Sequence, residues 1–248
     1  MNQPMTLSPL FRELRKRNPS LVRFSNNTLA FAPFEHFCRY IYVGNYPSRG
    51  YLGVEWKMHH PFEPMGSSAV GWGRLRCPIG RSIKFKPEGQ GGCFEWNDPT
   101  MPGDFVDQIE AEILPLFRSL DTLEKSIEYI ASCDHFPLRD WMPWITLMHV
   151  ALGEIDKAQE LWRTLIPGDV PELSRSDRSR LIAERLEKVH QVAGEVRLRE
   201  WCRLTDPLMA GDRAALARLL HEWEAFHFVG SKLERHWAPT PFPLELTK

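Results

Sequence analysis

The sequence lacks any apolar run long enough for a transmembrane helix, which needs about 20 mostly apolar residues. Its first nine residues, MNQPMTLSP, contain no basic stretch followed by an apolar one, so they do not predict a secretory signal. We therefore expect a cytoplasmic protein without a membrane partner.

Cysteine is scarce, with five residues in a chain of 248, and these are scattered rather than closely paired. Disulfide-rich folds and structural zinc sites both depend on close pairs. His59 and His60 do not complete a zinc site with Cys77 and Cys93, because neighbouring side chains on a strand point to opposite faces. The sequence predicts free thiols and no metal site.

The chain also has no large excess of positive or negative charge, because it contains 31 Lys and Arg residues and 32 Asp and Glu residues. Proteins that bind nucleic acid use a positive field to attract phosphates, so nucleic acid is not an expected partner. What the chain does contain is typical of a globular protein with a substantial core: 43% hydrophobic residues, 25% charged residues, 9 Trp and 14 Phe.

The pattern of apolar residues changes near Asn97–Gly103. Before this point, a short helix from Leu7 to Leu14 precedes aromatic and β-branched segments that are separated by turns. The predicted strands are Leu21–Phe24, Thr28–Pro33, Phe37–Val43, Tyr51–Met58, Trp72–Cys77, Ser82–Lys86 and Cys93–Trp96. Short connections between consecutive strands favour an antiparallel sheet.

After this point the apolar spacing is helical almost to the end of the chain. Asp104 is predicted to cap the first helix, and Asp121 with Glu124 the second. The first helix is predicted to bury Val106, Ile109, Ile113, Leu116 and Leu120. Further helices are predicted over 138–152, 155–166, 175–204 and 212–228, the third with the apolar stripe Ile182, Leu186, Val189, Ala193 and Val196.

Two segments of the helical half, Ala151–Ala158 and Leu208–Ala214, share the order helix, small residue, glycine, acid and alanine. This order resembles the turn of tetratricopeptide-like helical hairpins, and we interpret both segments as helix hairpins. The proline-rich tail after Trp237 is expected to be extended over the surface. The predicted fold class is α+β: an N-terminal antiparallel sheet packed by helices over 1–132, followed by an all-helical subdomain over 133–248.

No motif identifies a catalytic residue or a cofactor site. Cys133, Asp134 and His135 bring a thiol, an acid and an imidazole together, but sequence neighbours rarely reach the geometry of a triad. A turn explains this segment better. The glycine-rich segment Gly89–Gly92 leads into a strand, whereas a phosphate-binding loop leads into a helix. We predict no catalytic residue and no cofactor.

A local group of cations is the first candidate for a partner-binding surface: Arg74, Arg76, Arg81, Lys84 and Lys86. Side chains alternate along a strand, so Arg74 and Arg76 would share one face of the sheet. Such a face suits an acidic protein surface, or RNA if Trp72 and Phe85 stack on bases. A solvated outer face is the simpler interpretation.

The loop Pro61–Ser68 is the second candidate, because its composition predicts a loop that could reach into a partner's cleft. Phe62 and Glu63 are the residues that we expect to contact the partner there.

Several landmarks over Leu7–Ile130 follow an N-terminal helix and a strand meander: Arg76, Ile79-Gly80, Trp96 and helices starting at Asp104 and Asp121. This order resembles a family of small bacterial α+β domains of unassigned function (DUF4304-like), which are similar to immunity proteins encoded beside polymorphic toxins. The resemblance implies an α+β fold and a binding function, with no catalytic residues to transfer.

Three functions are compatible with these features. The first is a cytosolic protein-binding protein, specifically an immunity protein that neutralises a cognate bacterial toxin by direct steric binding. The alternatives are an enzyme whose active site lacks a sequence motif and lies between sheet and helices, and an adaptor whose helix hairpins bind a peptide. High aromatic content, near-neutral charge and the absence of a chemical motif favour the first, so we do not expect an enzyme.

Overall fold

The computed structural model describes residues 6–46, 50–64, 72–74, 93–132, 142–165, 175–190 and 195–246. The chain divides into two compact units. The sheet unit comprises Met1–His59, Ala69–Ser126 and Lys232–Ala238, and the helical unit comprises His60–Ser68, Ile127–Ser231 and Pro239–Lys248. Within the described ranges, no helix combines the length and the apolar character needed to cross a membrane.

The sheet unit confirms the predicted antiparallel sheet. Its strands are β1 (Leu21–Arg23), β2 (Thr28–Phe31), β3 (Cys38–Tyr46), β4 (Tyr51–His59), β5 (Trp72–Arg74) and β6 (Cys93–Glu95). Their order is β1-β2-β3-β4-β5, with β6 also paired to β4, and every pair is antiparallel. The predicted strand Ser82–Lys86 lies outside the described residues.

The longest pairing joins β3 and β4 over nine residues each, from Cys38 opposite His59 to Tyr46 opposite Tyr51. On β3 the side chains of Ile41 and Val43 are fully buried, whereas those of Tyr40 and Tyr42 are partly exposed. This alternation is what a sheet with one packed face requires.

Helices cover the packed face of the sheet: α1 (Ser8–Arg17), α2 (Met101–Gln108), a π-helical turn (Ile109–Ile113) and α3 (Leu114–Ser119). The predicted spacing of α1 is confirmed, because Leu10, Phe11 and Leu14 are buried. Ring contacts join Phe31 to Phe117 and Phe94 to Phe105, with centroids 5.8 and 5.7 Å apart.

Two predicted caps are wrong. The helix expected to start at Asp104 begins at Met101, because Pro102 is tolerated in a first turn whose N–H groups have no helical partner. The second helix, α4 (Leu123–Ser132), is capped by Thr122, whose Oγ1 accepts a hydrogen bond from the Lys125 N–H at 3.3 Å. Asp121 instead binds the Lys125 ammonium at 2.7 Å.

The predicted buried face of the first helix is wrong at one position. Val106, Ile109, Ile113 and Leu120 are buried, but Leu116 is only half-buried, and Leu114 and Phe117 are fully buried instead. A π-helical turn holds more residues than an α-helical turn, so it rotates the residues after Ile113 relative to the expected face.

The helical unit contains a series of short helices, consistent with the predicted helical half. These are α5 (Met142–Ala151), α6 (Ile155–Leu165), α7 (Arg175–His190), α8 (Glu195–Arg203), α9 (Thr205–Met209), α10 (Arg213–Phe228) and α11 (Pro243–Leu246). Of the predicted stripe, Ile182 and Leu186 are fully buried. The side chains of Val189, Ala193 and Val196 lie outside the described part of the chain.

Both predicted helix hairpins are confirmed. Gly153 between α5 and α6 and Gly211 between α9 and α10 have positive φ angles of 79° and 64°. Each glycine N–H bonds the carbonyl three residues back, and the following N–H bonds the carbonyl five residues back. This pair of bonds is the Schellman motif, which satisfies the last carbonyls of a helix and requires a left-handed residue.

The prediction of an extended surface tail is wrong for its last residues. Pro243 opens the short helix α11, where a proline at the first position loses no hydrogen bond. Phe242 and Leu244 are fully buried, and the Arg213 guanidinium donates to the Leu244 carbonyl at 2.8 Å.

Candidate protein-binding surface

Of the five cations predicted to form a partner-binding surface, the structure describes one, Arg74. Arg74 ends β5, where it pairs with Glu55 of β4 in the sheet register. Arg76, Arg81, Lys84 and Lys86 lie outside the described residues.

Phe62 and Glu63 do not occupy the exposed positions that a partner contact requires. Phe62 is fully buried in the helical unit, with its ring centroid 5.2 Å from that of Phe242 and 5.5 Å from that of His60. Glu63 is also buried, at 2% exposure. The expectation that these two side chains reach outward is therefore corrected, because the apolar tail offers Phe62 a better environment than water.

The face of the sheet opposite the helices carries an unusual concentration of aromatic residues. Side chains of β3 and β4 that share this face include four tyrosines and one ion pair. We call this surface the open sheet face, and define it by Phe24, Tyr40, Tyr42, Tyr46, Tyr51, Glu55 and Lys57.

Rings on the open sheet face contact one another and a cation. The centroids of Phe24 and Tyr40 lie 5.9 Å apart, which places Phe24 on the same face. The Lys57 ammonium lies 4.5 Å from the centre of the Tyr42 ring and 3.7 Å from the Glu55 carboxylate. Phe24 and Tyr46 are 40% and 42% exposed, Tyr40 and Tyr42 are partly exposed, and Tyr51 is buried at 8% exposure.

At one end of the open sheet face the side chains are buried. Cys38 and His59, which pair at the end of the two strands, are both buried. The Tyr40 hydroxyl is also buried and forms a hydrogen bond with Cys38, and burial raises its pKa well above the usual value for tyrosine. Tyr40 therefore offers its ring rather than its hydroxyl to a partner.

Arg39 links β3 to the end of α3 on the packed face of the sheet. It is 7% exposed, and its guanidinium donates to the carbonyls of Phe117 and Leu120 at 2.5 and 2.7 Å, at the end of α3. The cation also lies 4.8 Å from the ring of Phe31 and 4.7 Å from that of Phe37. Burial lowers the Arg39 pKa to about 10, so the group stays charged at neutral pH.

A polar groove of about 700 Å³ lies near the start of α1 and the β1–β2 turn. Its one cation, Arg23, donates to the Ser8 hydroxyl at 3.4 Å and to the Ser25 carbonyl at 3.1 Å. Asn45, also in the lining, accepts a hydrogen bond from the Trp96 indole at 3.0 Å. These side chains of the lining are therefore already hydrogen-bonded within the protein.

The helical unit contains a group of titratable side chains around its tail. His221 lies 2.8 Å from the Glu245 carboxylate and 3.9 Å from that of Glu224, which is fully buried. The same Glu245 oxygen accepts a hydrogen bond from the Phe242 N–H. This arrangement ties α11 to α10, and it includes no nucleophile among the contacts that the structure describes.

In the ranges that the structure covers, no three His, Cys, Asp or Glu residues are arranged to hold a metal ion. Cys133, Asp134, His135 and the glycines of Gly89–Gly92 lie outside those ranges. The sequence pattern of the open sheet face was visible as Tyr40, Tyr42 and Tyr46 at alternate positions, with Gly44 between them. Which β4 side chains lie beside these tyrosines depends on the register of β3 with β4. The sequence of β3 alone does not predict that register.

In comparison with known proteins, no family model, no curated protein and no solved structure matches the chain.

Proposed function

We propose that this chain is a protein-binding protein, and specifically an immunity protein that neutralises a cognate bacterial toxin by steric binding through the open sheet face. The observation that carries the proposal is the group of partly exposed rings, Phe24, Tyr40, Tyr42 and Tyr46, on one side of a sheet. Tyrosine is enriched in protein interfaces because it combines a large apolar ring with a hydrogen-bonding tip.

The expected partner surface is acidic. Residues 72–86 contain five Lys and Arg and no Asp or Glu, and this segment starts in β5, whose Arg74 pairs with Glu55 of the open sheet face. Opposite charges across an interface steer association and exclude wrong partners. An acidic toxin surface is thus complementary to the charge of this segment.

Single-stranded RNA is the competing occupant of a sheet with aromatic residues, because bases stack on exposed rings. The arrangement favours a protein. The Lys57 ammonium lies over the Tyr42 ring, where a base would have to stack. The chain also has a net charge of −1, which provides no general attraction for phosphates.

The test is to express the protein encoded by the adjacent gene in bacteria, alone and together with this chain. We expect growth arrest alone and normal growth with this chain. Tyr42→Ala should reduce protection, because it removes the ring at the centre of the face. Phe226→Ala is the matched control, since Phe226 is 58% exposed but belongs to α10 of the helical unit.

The purified complex should bury about 1,200–2,000 Å² in total, as stable interfaces do. A harmless neighbour, or a neighbour that stays toxic while this chain is soluble and abundant, would refute the immunity function. Binding of a labelled single-stranded RNA that Tyr42→Ala abolishes would assign the face to nucleic acid instead.

Charge reversal in the cationic segment 72–86 tests the acidic partner. The double variant Arg74→Glu, Arg76→Glu should slow association with the neighbouring protein and make it less sensitive to salt, while the melting temperature changes little. An unchanged association rate would show that the partner does not contact this segment.

A further inference from the structure

We infer that the helical unit contains a peptide-binding groove, and that the tail of this chain occupies it as a strap that can detach while the unit stays folded. The strap is residues 239–246, and we define the groove by three residues that contact it, Phe62, Arg213 and His221. The strap and the groove both belong to the helical unit. The inference is therefore independent of the open sheet face and of the function proposed for it.

Burial along the strap follows the pattern of a docked peptide. Phe242 and Leu244 are fully buried, whereas Pro241 before them and Leu246 after them are exposed, the latter at 71%. The short helix α11 packs against α10 and α5. Two buried anchors with exposed residues on either side are how an extended peptide or a short helix binds a groove on a folded domain.

The aromatic anchor of the strap enters a pocket with aromatic walls. The Phe242 ring lies 5.2 Å from that of Phe62 at an angle of 87°, and 4.9 Å from that of His221 at 60°. Edge-to-face contacts of this kind are favourable beyond the area that they bury. A single aromatic side chain in a closely fitting pocket is also the usual anchor of a protein interface.

Polar contacts of the groove recognise the backbone and the acidic side chain of the strap. The Arg213 guanidinium donates to the Leu244 carbonyl at 2.8 Å, and Nε2 of His221 lies 2.8 Å from the Glu245 carboxylate. The groove therefore suits a peptide that has an aromatic residue, an apolar residue two positions later and a carboxylate directly after that. The strap meets all three requirements.

The strap is already shaped for docking. The Phe242 N–H donates to the Glu245 carboxylate, and the Glu245 N–H donates to the Phe242 carbonyl, both at 2.8 Å. Prolines at 239, 241 and 243 fix φ at alternate positions. A preorganised segment loses little conformational freedom when it binds, so the strap can detach and dock again at a low entropic cost.

The experiment uses the full-length chain with the double substitution Phe242→Ala, Leu244→Ala, which removes both anchors from the groove. The probe is a fluorescein-labelled peptide with the sequence of residues 238–246, APTPFPLEL, and binding is measured by fluorescence anisotropy. We expect the double variant to bind the peptide at least about tenfold more tightly than the wild type, whose tethered strap competes at an effective concentration of about 1 mM.

The matched control is Leu246→Ala, which changes an exposed side chain of the same segment. Its strap keeps both anchors, so it should bind the peptide no better than the wild type does. The peptide itself supplies a second control. With Phe242→Ala and Leu244→Ala it should not bind the double variant, and with Glu245→Gln it should bind about 3- to 10-fold more weakly, because an amide is a poorer acceptor than a carboxylate.

Folding of the double variant decides whether the strap is separable. Its helical circular dichroism should be retained with a lower melting temperature, and excess peptide should raise that temperature, because a ligand stabilises the state that binds it. A double variant that is unfolded at 25 °C would show that the two anchors belong to the core and would refute the strap.

Two binding results would also overturn the inference. A folded double variant that does not bind the peptide would show that the groove is no peptide site. Equal binding to the double variant and to the wild type would place the peptide elsewhere on the molecule. Both results leave the function of the open sheet face untouched, since that function is tested with a different partner and different variants.

Discussion

The two units expose their aromatic residues in different ways. In the sheet unit, Phe24, Tyr40, Tyr42 and Tyr46 share one face and contact each other or a neighbouring cation. In the helical unit, the largest aromatic side chains are internal: Trp162 and Trp201 are almost completely buried, with ring centroids 6.4 Å apart. Among the aromatic residues that the structure describes in this unit, Phe226, near the end of α10, is the exposed exception.

This difference distinguishes aromatic residues that serve the protein core from those that are available to a partner. Single exposed apolar residues such as Phe226 are common on protein surfaces and need no partner. A group of partly exposed rings on one face of a sheet is different, because its burial by a partner would remove much apolar area from water at once. On the surface of the helical unit, Arg203 binds both Glu222 oxygens at 2.7 and 2.6 Å. The sheet unit has comparable surface ion pairs, such as Arg17 with Glu13 and Asp107.

The largest effect is expected from a charge in the interior of the helical unit. Leu186→Asp places a carboxylate where the native side chain is fully buried, and should lower the free energy of unfolding by about 3–5 kcal/mol. Urea unfolding measures this change. Glu187→Ala, at the adjacent exposed position of α7, is the control. An unchanged stability would mean that the stripe is exposed, which would give the helical unit an apolar binding surface too.

A smaller effect is expected from Arg39, which lies on the packed face of β3. Arg39→Met keeps most of the side-chain volume but leaves the carbonyls of Phe117 and Leu120 without their donor, at a cost of about 2–3 kcal/mol. Arg118→Met, at an exposed position of α3, should change stability much less.

The Arg39 variant also tests the division between the two faces of the sheet. Its folded fraction should bind the partner as the wild type does, whereas Tyr46→Ala should lose binding and keep stability. If Arg39→Met instead weakened binding at full stability, the packed and open faces would not act independently.

Local signals in the sequence predict the fold well where a single residue type has a single physical consequence. Gly153 and Gly211 were identified as helix ends because only glycine enters the left-handed region without strain. Asp104 was misassigned because Pro102 and Gly103 resemble a turn, yet proline is equally suited to a first helical turn. The π-helical turn at Ile109–Ile113 has no comparable sequence signal.

The candidate site was predictable only in part, because its members come together through long-range pairing. Tyr40 and Tyr42 alternate in the sequence, but their relation to Glu55 and Lys57 follows from the register of β3 and β4. Phe62 was expected to be exposed because the Pro, Gly and Ser content of its segment predicts a loop, and its burial depends on Phe242 near the end of the chain. Neither contact is encoded locally.

The smallest effect is a pH dependence that should distinguish the units. Burial lowers the pKa of His227 in the helical unit below its usual value, and a hydrogen bond with the Glu63 backbone offsets part of this shift. The unfolded chain, with a histidine pKa of about 6.5, therefore takes up a proton before the folded one does as the pH falls. The stability associated with His227 is present above that pH and is lost on acidification below it.

Urea unfolding at pH 7.5 and pH 5.5 measures this loss, and His227→Gln should make the difference between the two values smaller. The matched control is His236→Gln in the sheet unit. Burial and the neighbouring Arg235 also lower the pKa of His236, but its ring is much less buried than that of His227, so its removal should change the difference less. If His236→Gln flattened the profile more than His227→Gln, the acid sensitivity would belong to the sheet unit. Partner binding would then have to be measured at the pH where that unit is most stable.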